Sequence, residues 1–244
     1  MRHLIALVLI SFSTTMLAQS VTFSLVPSVS IPLSDFGDTD SANELASYAD
    51  LGFGGNIETT LWVVPSFGIS LLAGTYSNKL DSKTLAEQIN EELNLDYLVT
   101  DDSYTILYAM LGPTLGMNSQ SVSISIHPAV GYGLKSDLSY RTFLDGVQGE
   151  SQETSYENDS GLMYGLQFST KFFLSEGFGL GFNASYISGN MQTIGEVTPS
   201  ITLPGGTVEQ DFSPTVVTAG INLSFRLGGR DMRHRPGAGF YFGK

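Results

Sequence analysis

The sequence predicts an all-β fold, an eight-stranded antiparallel up-and-down transmembrane β-barrel, and three observations predict it. The first is alternation, clearest in Ser121–Lys135, where Val122, Ile124, Ile126, Pro128, Val130, Tyr132 and Leu134 interleave with Ser121, Ser123, Ser125, His127, Ala129, Gly131 and Gly133. A period of two gives a strand one apolar face and one polar or small face. The run also exceeds the ~9–11 residues that a tilted strand needs to cross a bilayer. The second observation is that connections between such segments alternate between a few residues and many. The third is that the non-apolar faces carry Gly, Ser, Thr and Asn, whereas a water-facing sheet would carry many charges.

Composition narrows the function classes. The 244 residues suit one barrel domain. A formal net charge of −13 leaves no general positive field for phosphates, which argues against nucleic acid as a partner. The 11% aromatic content is too high for a disordered acidic chain. With no Cys there are no disulfides, thiolate zinc sites or lipidated N-terminal Cys. The residues indicate no cofactor and no metal site.

In chain order, Met1–Ala18 reads as a secretory signal peptide: Arg2 and His3, then the short apolar run Leu4–Ile10, then Leu17-Ala18 before Gln19. No later segment approaches ~20 continuous apolar residues, so helical spans are excluded. Eight alternating segments follow. Val21–Leu33 and Leu51–Val63 are joined by a long connection, and the Pro65-Ser66 link leads into Phe67–Tyr76. Tyr104–Gly116 is assigned Leu107, Ala109, Leu111, Pro113 and Leu115 as its apolar face. After Asn118-Ser119-Gln120 comes Ser121–Lys135. Leu162–Phe172 and Phe178–Tyr186 flank Ser175-Glu176, and Val217–Leu227 completes the set. The domain organisation is 1–18 signal peptide, 19–227 barrel and 228–244 basic periplasmic tail.

The long connections are Ser34–Asp50, Asn78–Ser103, Ser136–Ser160 and Gly189–Ser213. A periplasmic N-terminus puts all four on one side, giving short periplasmic turns and long extracellular loops. Phe23, Phe67, Phe172, Phe178 and Phe225 then fall near the short-turn rim, and Tyr132, Tyr164 and Tyr186 near the long-loop rim, as two interfacial girdles require. In the second loop Leu85, Ile89 and Leu93 repeat at helical spacing after Ser82, which predicts a short helix on the rim. Pro204-Gly205-Gly206 predicts that the fourth loop continues as a hairpin.

Candidate functional residues fall into three groups. Most acids lie in the loops, from Asp35, Asp38 and Asp40 to Glu209 and Asp211, and read first as a solvated cap and second as a surface for cations or basic ligands. Asp38–Glu44 has acids at calcium-loop spacing, but Ala42 replaces a ligand and the turn Gly is missing. On the inward phase lie Glu58, Lys171, Arg226 and His127, a lumen charge cluster that reads as a salt-bridged plug or as a gate. His127 near Ser125 and Glu58 could suggest acid–base chemistry, but its phase points into the lumen, away from lipid. The last group is the tail, where Arg230, Arg233, His234, Arg235 and Lys244 face one acid, Asp231.

The first strand running into a Gly-containing loop (PSVSIPLSDFG, Pro27–Gly37), the eight segments and the final INLSFRL (Ile221–Leu227) resemble the small outer-membrane β-barrel proteins of Gram-negative bacteria, of OmpA-, OmpX- and OmpW-like or PorT-like type. That resemblance implies residence in the cell outer membrane, and it makes Phe225 similar to a terminal assembly signal, although Gly228–Lys244 follows it. The resulting expectation is a non-enzymatic protein with a structural or surface-interaction role through acidic extracellular loops. Two alternatives stay open: a small pore or hydrophobic-compound conduit, and a subunit of an envelope secretion or assembly complex. Expected partners are outer-membrane lipid and an envelope protein engaged by the basic tail. The oligomeric state is left unassigned.

Overall fold

The structure, a computed structural model, describes residues 20–40, 46–93, 96–136, 138–144, 151–156, 159–175, 177–198 and 205–228. The signal peptide, the tail beyond Gly228, residues 41–45 of the calcium-like loop and Pro204 lie outside the described residues. The strands are β1 (Ser20–Pro32), β2 (Ala49–Val64), β3 (Phe67–Leu80), β4 (Tyr97–Val99), β5 (Ser103–Asn118), β6 (Val122–Lys135), β7 (Leu138–Leu144), β8 (Ser151–Tyr156), β9 (Asp159–Phe173), β10 (Phe178–Val197), β11 (Gly206–Phe212) and β12 (Thr215–Leu227). An α-helix, α1 (Ser82–Leu93), follows β3.

Eight strands close the barrel. β1, β2, β3, β5, β6, β9, β10 and β12 pair antiparallel in that order, and β12 returns to β1 from Val21↔Leu227 to Pro32↔Val216. Closure removes the sheet edge, which in hydrocarbon would leave backbone groups unpaired. The outward face is apolar and bare: Phe53 is 75% exposed, Phe182 68% and Val130 63%. A soluble protein rarely exposes so continuous an apolar surface, and here it forms a belt around a closed ladder. The protein is therefore an outer-membrane β-barrel, and Ser121–Lys135 presents its Val and Ile side chains to lipid.

Inside, the two halves of the lumen differ. The turn-side half carries the expected Ser, Thr and Asn, buried and hydrogen-bonded to one another. The loop-side half departs from the Gly/Ser lumen that was expected: Tyr76, Tyr108, Met110, Met163, Ile187 and Met191 fill it as an apolar core. Their phase is inward like that of the Ser residues below, and an eight-stranded barrel is narrow enough for side-chain volume to fill it. Inner-face glycines make the room. A Cβ on Gly74 would lie 2.6 Å from the Tyr108 hydroxyl, and one on Gly189 would lie 2.3 Å from the Met163 sulfur.

Above the barrel the described loop residues form further paired structure. β10 runs for 20 residues, and its outer end pairs with β11 from Met191↔Phe212 to Val197↔Gly206, forming the fourth-loop hairpin. The same end pairs with β8, β8 with β7 and β7 with β4, so a second sheet rises from the barrel wall. The sequence reading had no strands at β4, β7 or β8. SQETSY in β8 has no apolar alternation, and its extended form is imposed by its neighbours. The rim helix is present and is capped by Asp81, which accepts from the Thr84 amide (3.1 Å) and hydroxyl (2.7 Å).

Candidate functional site

The lumen site is centred on Glu58. β2 and β9 are four strands apart in either direction around the barrel, so they face each other across its full width. From β9, the Lys171 ammonium donates to Glu58 Oε1 at 3.2 Å and the Gln167 amide donates to Oε2 at 2.7 Å. The Thr60 hydroxyl also donates to Oε1, at 2.7 Å. Glu58, Lys171 and Gln167 are all buried. A buried carboxylate needs this degree of satisfaction, because its desolvation is offset only by good geometry and further hydrogen bonds.

The network spreads around the wall from there. Thr60 bonds Ser70 at 2.7 Å, and Ser70 bonds Thr114. Asn222 on β12 donates to Ser169 at 3.2 Å, and Ser185 donates to Asn183 at 2.9 Å. Short hydroxyl side chains do this because the barrel is just wide enough to be filled from its own walls.

His127 and Arg226 differ from that pattern. His127 is buried beside this network, in register with Gln167, and neither ring nitrogen has a side-chain hydrogen-bond partner. It is not joined to Ser125, so no nucleophile–base pair is formed. Arg226 is not part of the Glu58 cluster. It stands one residue from the end of β12, and its guanidinium lies 3.5 Å from the centroid of Phe173. It donates to the Ser119 carbonyl at 2.8 Å and to Asn118 Oδ1 at 2.6 Å. β12 and β5 are also four strands apart, so this is a second tie across the barrel, at the periplasmic mouth. Phe225 beside it faces outward and touches Phe178, ring centroids 5.4 Å apart.

At the extracellular end, sequence reasoning missed a cationic centre. Lys135, at the tip of β6, is buried with its ammonium 5.1 Å from the Tyr156 ring and 5.0 Å from the Phe212 ring. Its inward phase was legible; its aromatic surroundings come from β8 and β11, which bring Tyr156 and Phe212 over the mouth. Burial and the neighbouring Tyr140 push the Tyr156 phenol above its ordinary pKa. On the outer surface Arg141 and Glu153, paired in register, meet at 3.0 Å. Hydrogen bonds from Arg141 and Ser139 hold the Glu153 carboxyl below its usual value.

Among the described residues the loop acids do not gather into a cation site. Asp38 accepts from the Asp40 amide at 3.0 Å, a local turn, and among the described residues no group of three or more His, Asp or Glu is gathered to hold a metal. Asp101 accepts from Ser82, and Asp102 accepts from the Ser139 amide at 2.6 Å, so both acids join loop to loop.

No protein-family model and no curated protein sequence matches the chain. Among solved structures it is similar to a major outer membrane protein from Thermus thermophilus (14% identity, 85% of this chain and 99% of that one, TM-score 0.47). It is likewise similar to the outer membrane protein OprG from Pseudomonas aeruginosa (16% identity, 85% and 96%, TM-score 0.46). A further similar structure is Ail, the attachment invasion locus protein of Yersinia pestis (14% identity, 86% and 99%, TM-score 0.42).

Proposed function

We propose that this outer-membrane barrel serves as a non-enzymatic surface-interaction protein whose working part is the extracellular sheet. The observation that carries this reading is the contrast between the two ends of one wall. β10 leaves a lumen tied shut through Glu58 and continues into a paired sheet, where side-chain bonds such as Asp102 to Ser139 hold the loops in place. Ordered loops on a rigid scaffold are where binding residues concentrate. The acidic character of those loops favours a basic partner surface and faster encounter with it.

The closed lumen weighs against the conduit alternative, and His127 without a hydrogen-bonded nucleophile weighs against catalysis. The secretion-complex alternative depends on the tail, which lies outside the described residues.

The test uses the full protein in nanodiscs with a fluorescent oligolysine peptide as probe. Binding should weaken steeply with salt and fall when residues 138–156 are replaced by a short turn, with the barrel still folded by heat-modifiable mobility. Equal binding by both forms, or ion conduction by the wild type, would reject this reading.

A further inference from the structure

The extracellular mouth of the barrel holds a cavity of about 80 Å³ above the apolar layer. Lys135 lines it from the tip of β6, Tyr140 and Tyr156 from β7 and β8, Phe212 from β11, Tyr104 from the start of β5 and Tyr48 from the first loop. Aromatic rings around one charged group are the composition of a small-ligand site.

The wall is fixed by its own bonds. The Tyr104 hydroxyl donates to the Ser47 carbonyl at 2.6 Å, and its ring stacks on Phe212 with centroids 5.7 Å apart. The Tyr48 hydroxyl donates to Gln88 on α1, and Gln88 donates in turn to the Thr39 carbonyl. Tyr48 also stands at φ 53°, in the left-handed region that a bulky side chain adopts only at a cost. A wall so tied needs little ordering when a ligand arrives.

The charge in that wall selects the ligand. Lys135 is only 2% exposed, and its ammonium lies 5.1 Å from the Tyr156 ring and 5.0 Å from the Phe212 ring. Both ring faces favour its charged form. An ammonium has three N–H donors, so one further acceptor is compatible with the contacts it already makes. Size narrows the choice: the cavity is roughly half of the ~150 Å³ that encloses a benzene ring. It therefore takes a carboxylate and the carbon behind it, while the rest of the ligand stays at the opening against the half-buried rings of Tyr48, Tyr140 and Tyr156. Aromatic faces there suit a ring with an apolar C–H face. Asp101 and Asp102, which tie the neighbouring loops, add a negative field that disfavours multiply charged ligands.

We propose that the mouth cavity is a binding site for one hexuronate, the carboxylated form of a hexose, with its carboxylate at Lys135 and its sugar ring against Tyr140 and Tyr156. This site takes a small acid rather than a basic surface, and it stands whether or not the extracellular sheet binds a basic partner.

Saturation-transfer difference NMR on the full barrel in nanodiscs, titrated with methyl α-galacturonide, tests this. The expected result is saturable binding with the strongest transfer to the ring C–H protons. Lys135→Met should weaken it about tenfold, the loss expected for a hydrogen bond to a charged group, with heat-modifiable mobility confirming folding. Independently of any variant, the methyl ester of the same sugar, which lacks the charge, should bind the wild type about tenfold more weakly. Equal binding of acid and ester, or full binding by a folded Lys135→Met, would overturn the proposal. Inorganic phosphate competing as strongly as the uronide would make the site a general anion site and overturn it, and N-acetylglutamate doing so would assign the cavity to acidic peptides instead.

Discussion

Glu58 on β2 and Lys171 on β9 meet at 3.2 Å across the whole width of the barrel, joining two strands that share no backbone ladder. Removing one partner leaves the other charged and buried. Lys171→Met is expected to cost about 3–5 kcal/mol, and Glu58→Gln/Lys171→Met to recover much of that loss. Urea unfolding in lipid vesicles measures both, and a double variant no more stable than Lys171→Met would show that the pair is not coupled.

The same tie bears on conduction. Ions crossing the barrel must pass Arg226 at the periplasmic mouth, the Glu58 network, and then the apolar layer of Tyr76, Tyr108 and Met110. In planar bilayers the wild type should show no stable openings. Glu58→Ala/Lys171→Ala should stay closed as well, because the apolar layer above remains. Steady ion-selective steps from the wild type would restore the pore alternative.

The barrel was legible because lipid on one side and a narrow lumen on the other impose a strict period of two. Leu107, Ala109 and Leu111 could therefore be placed outside even in the least regular strand. Phase assigns a face but not a depth or a partner. Glu58 and Lys171 meet, while Arg226, on the same inward phase, bends at its strand end towards Phe173 and Asn118. The apolar upper lumen was hidden for a related reason: where both faces are apolar, as around Met163 and Ile187, alternation no longer separates them. β8 was illegible because its extended form comes from β7 and from the outer end of β10, contacts distant in sequence.

If Val130 faces hydrocarbon, charge there is costly at a depth-dependent price of about 2–4 kcal/mol for Val130→Arg. On the extracellular sheet, exposed Glu196→Arg should change stability by no more than about 0.5 kcal/mol. Folding titrations into vesicles compare the two. Equal effects would mean that Val130 does not sit in the bilayer.

The Arg141–Glu153 pair makes the β7–β8 hairpin acid-sensitive. Arg141, by hydrogen bond and charge, and Ser139 hold the folded Glu153 carboxyl below its ordinary 4.5. A depressed folded value means that the stabilisation is fully present above 4.5 and is lost as pH falls through the lower folded value. The pair is solvent-exposed, so salt should weaken it. Hydrogen exchange, corrected for intrinsic rates, should show β7–β8 amides losing protection as pH falls below 4.5 while the barrel strands keep theirs. Glu153→Gln should remove that acid step, and a step that survives the substitution would mean that the Arg141–Glu153 pair does not carry it.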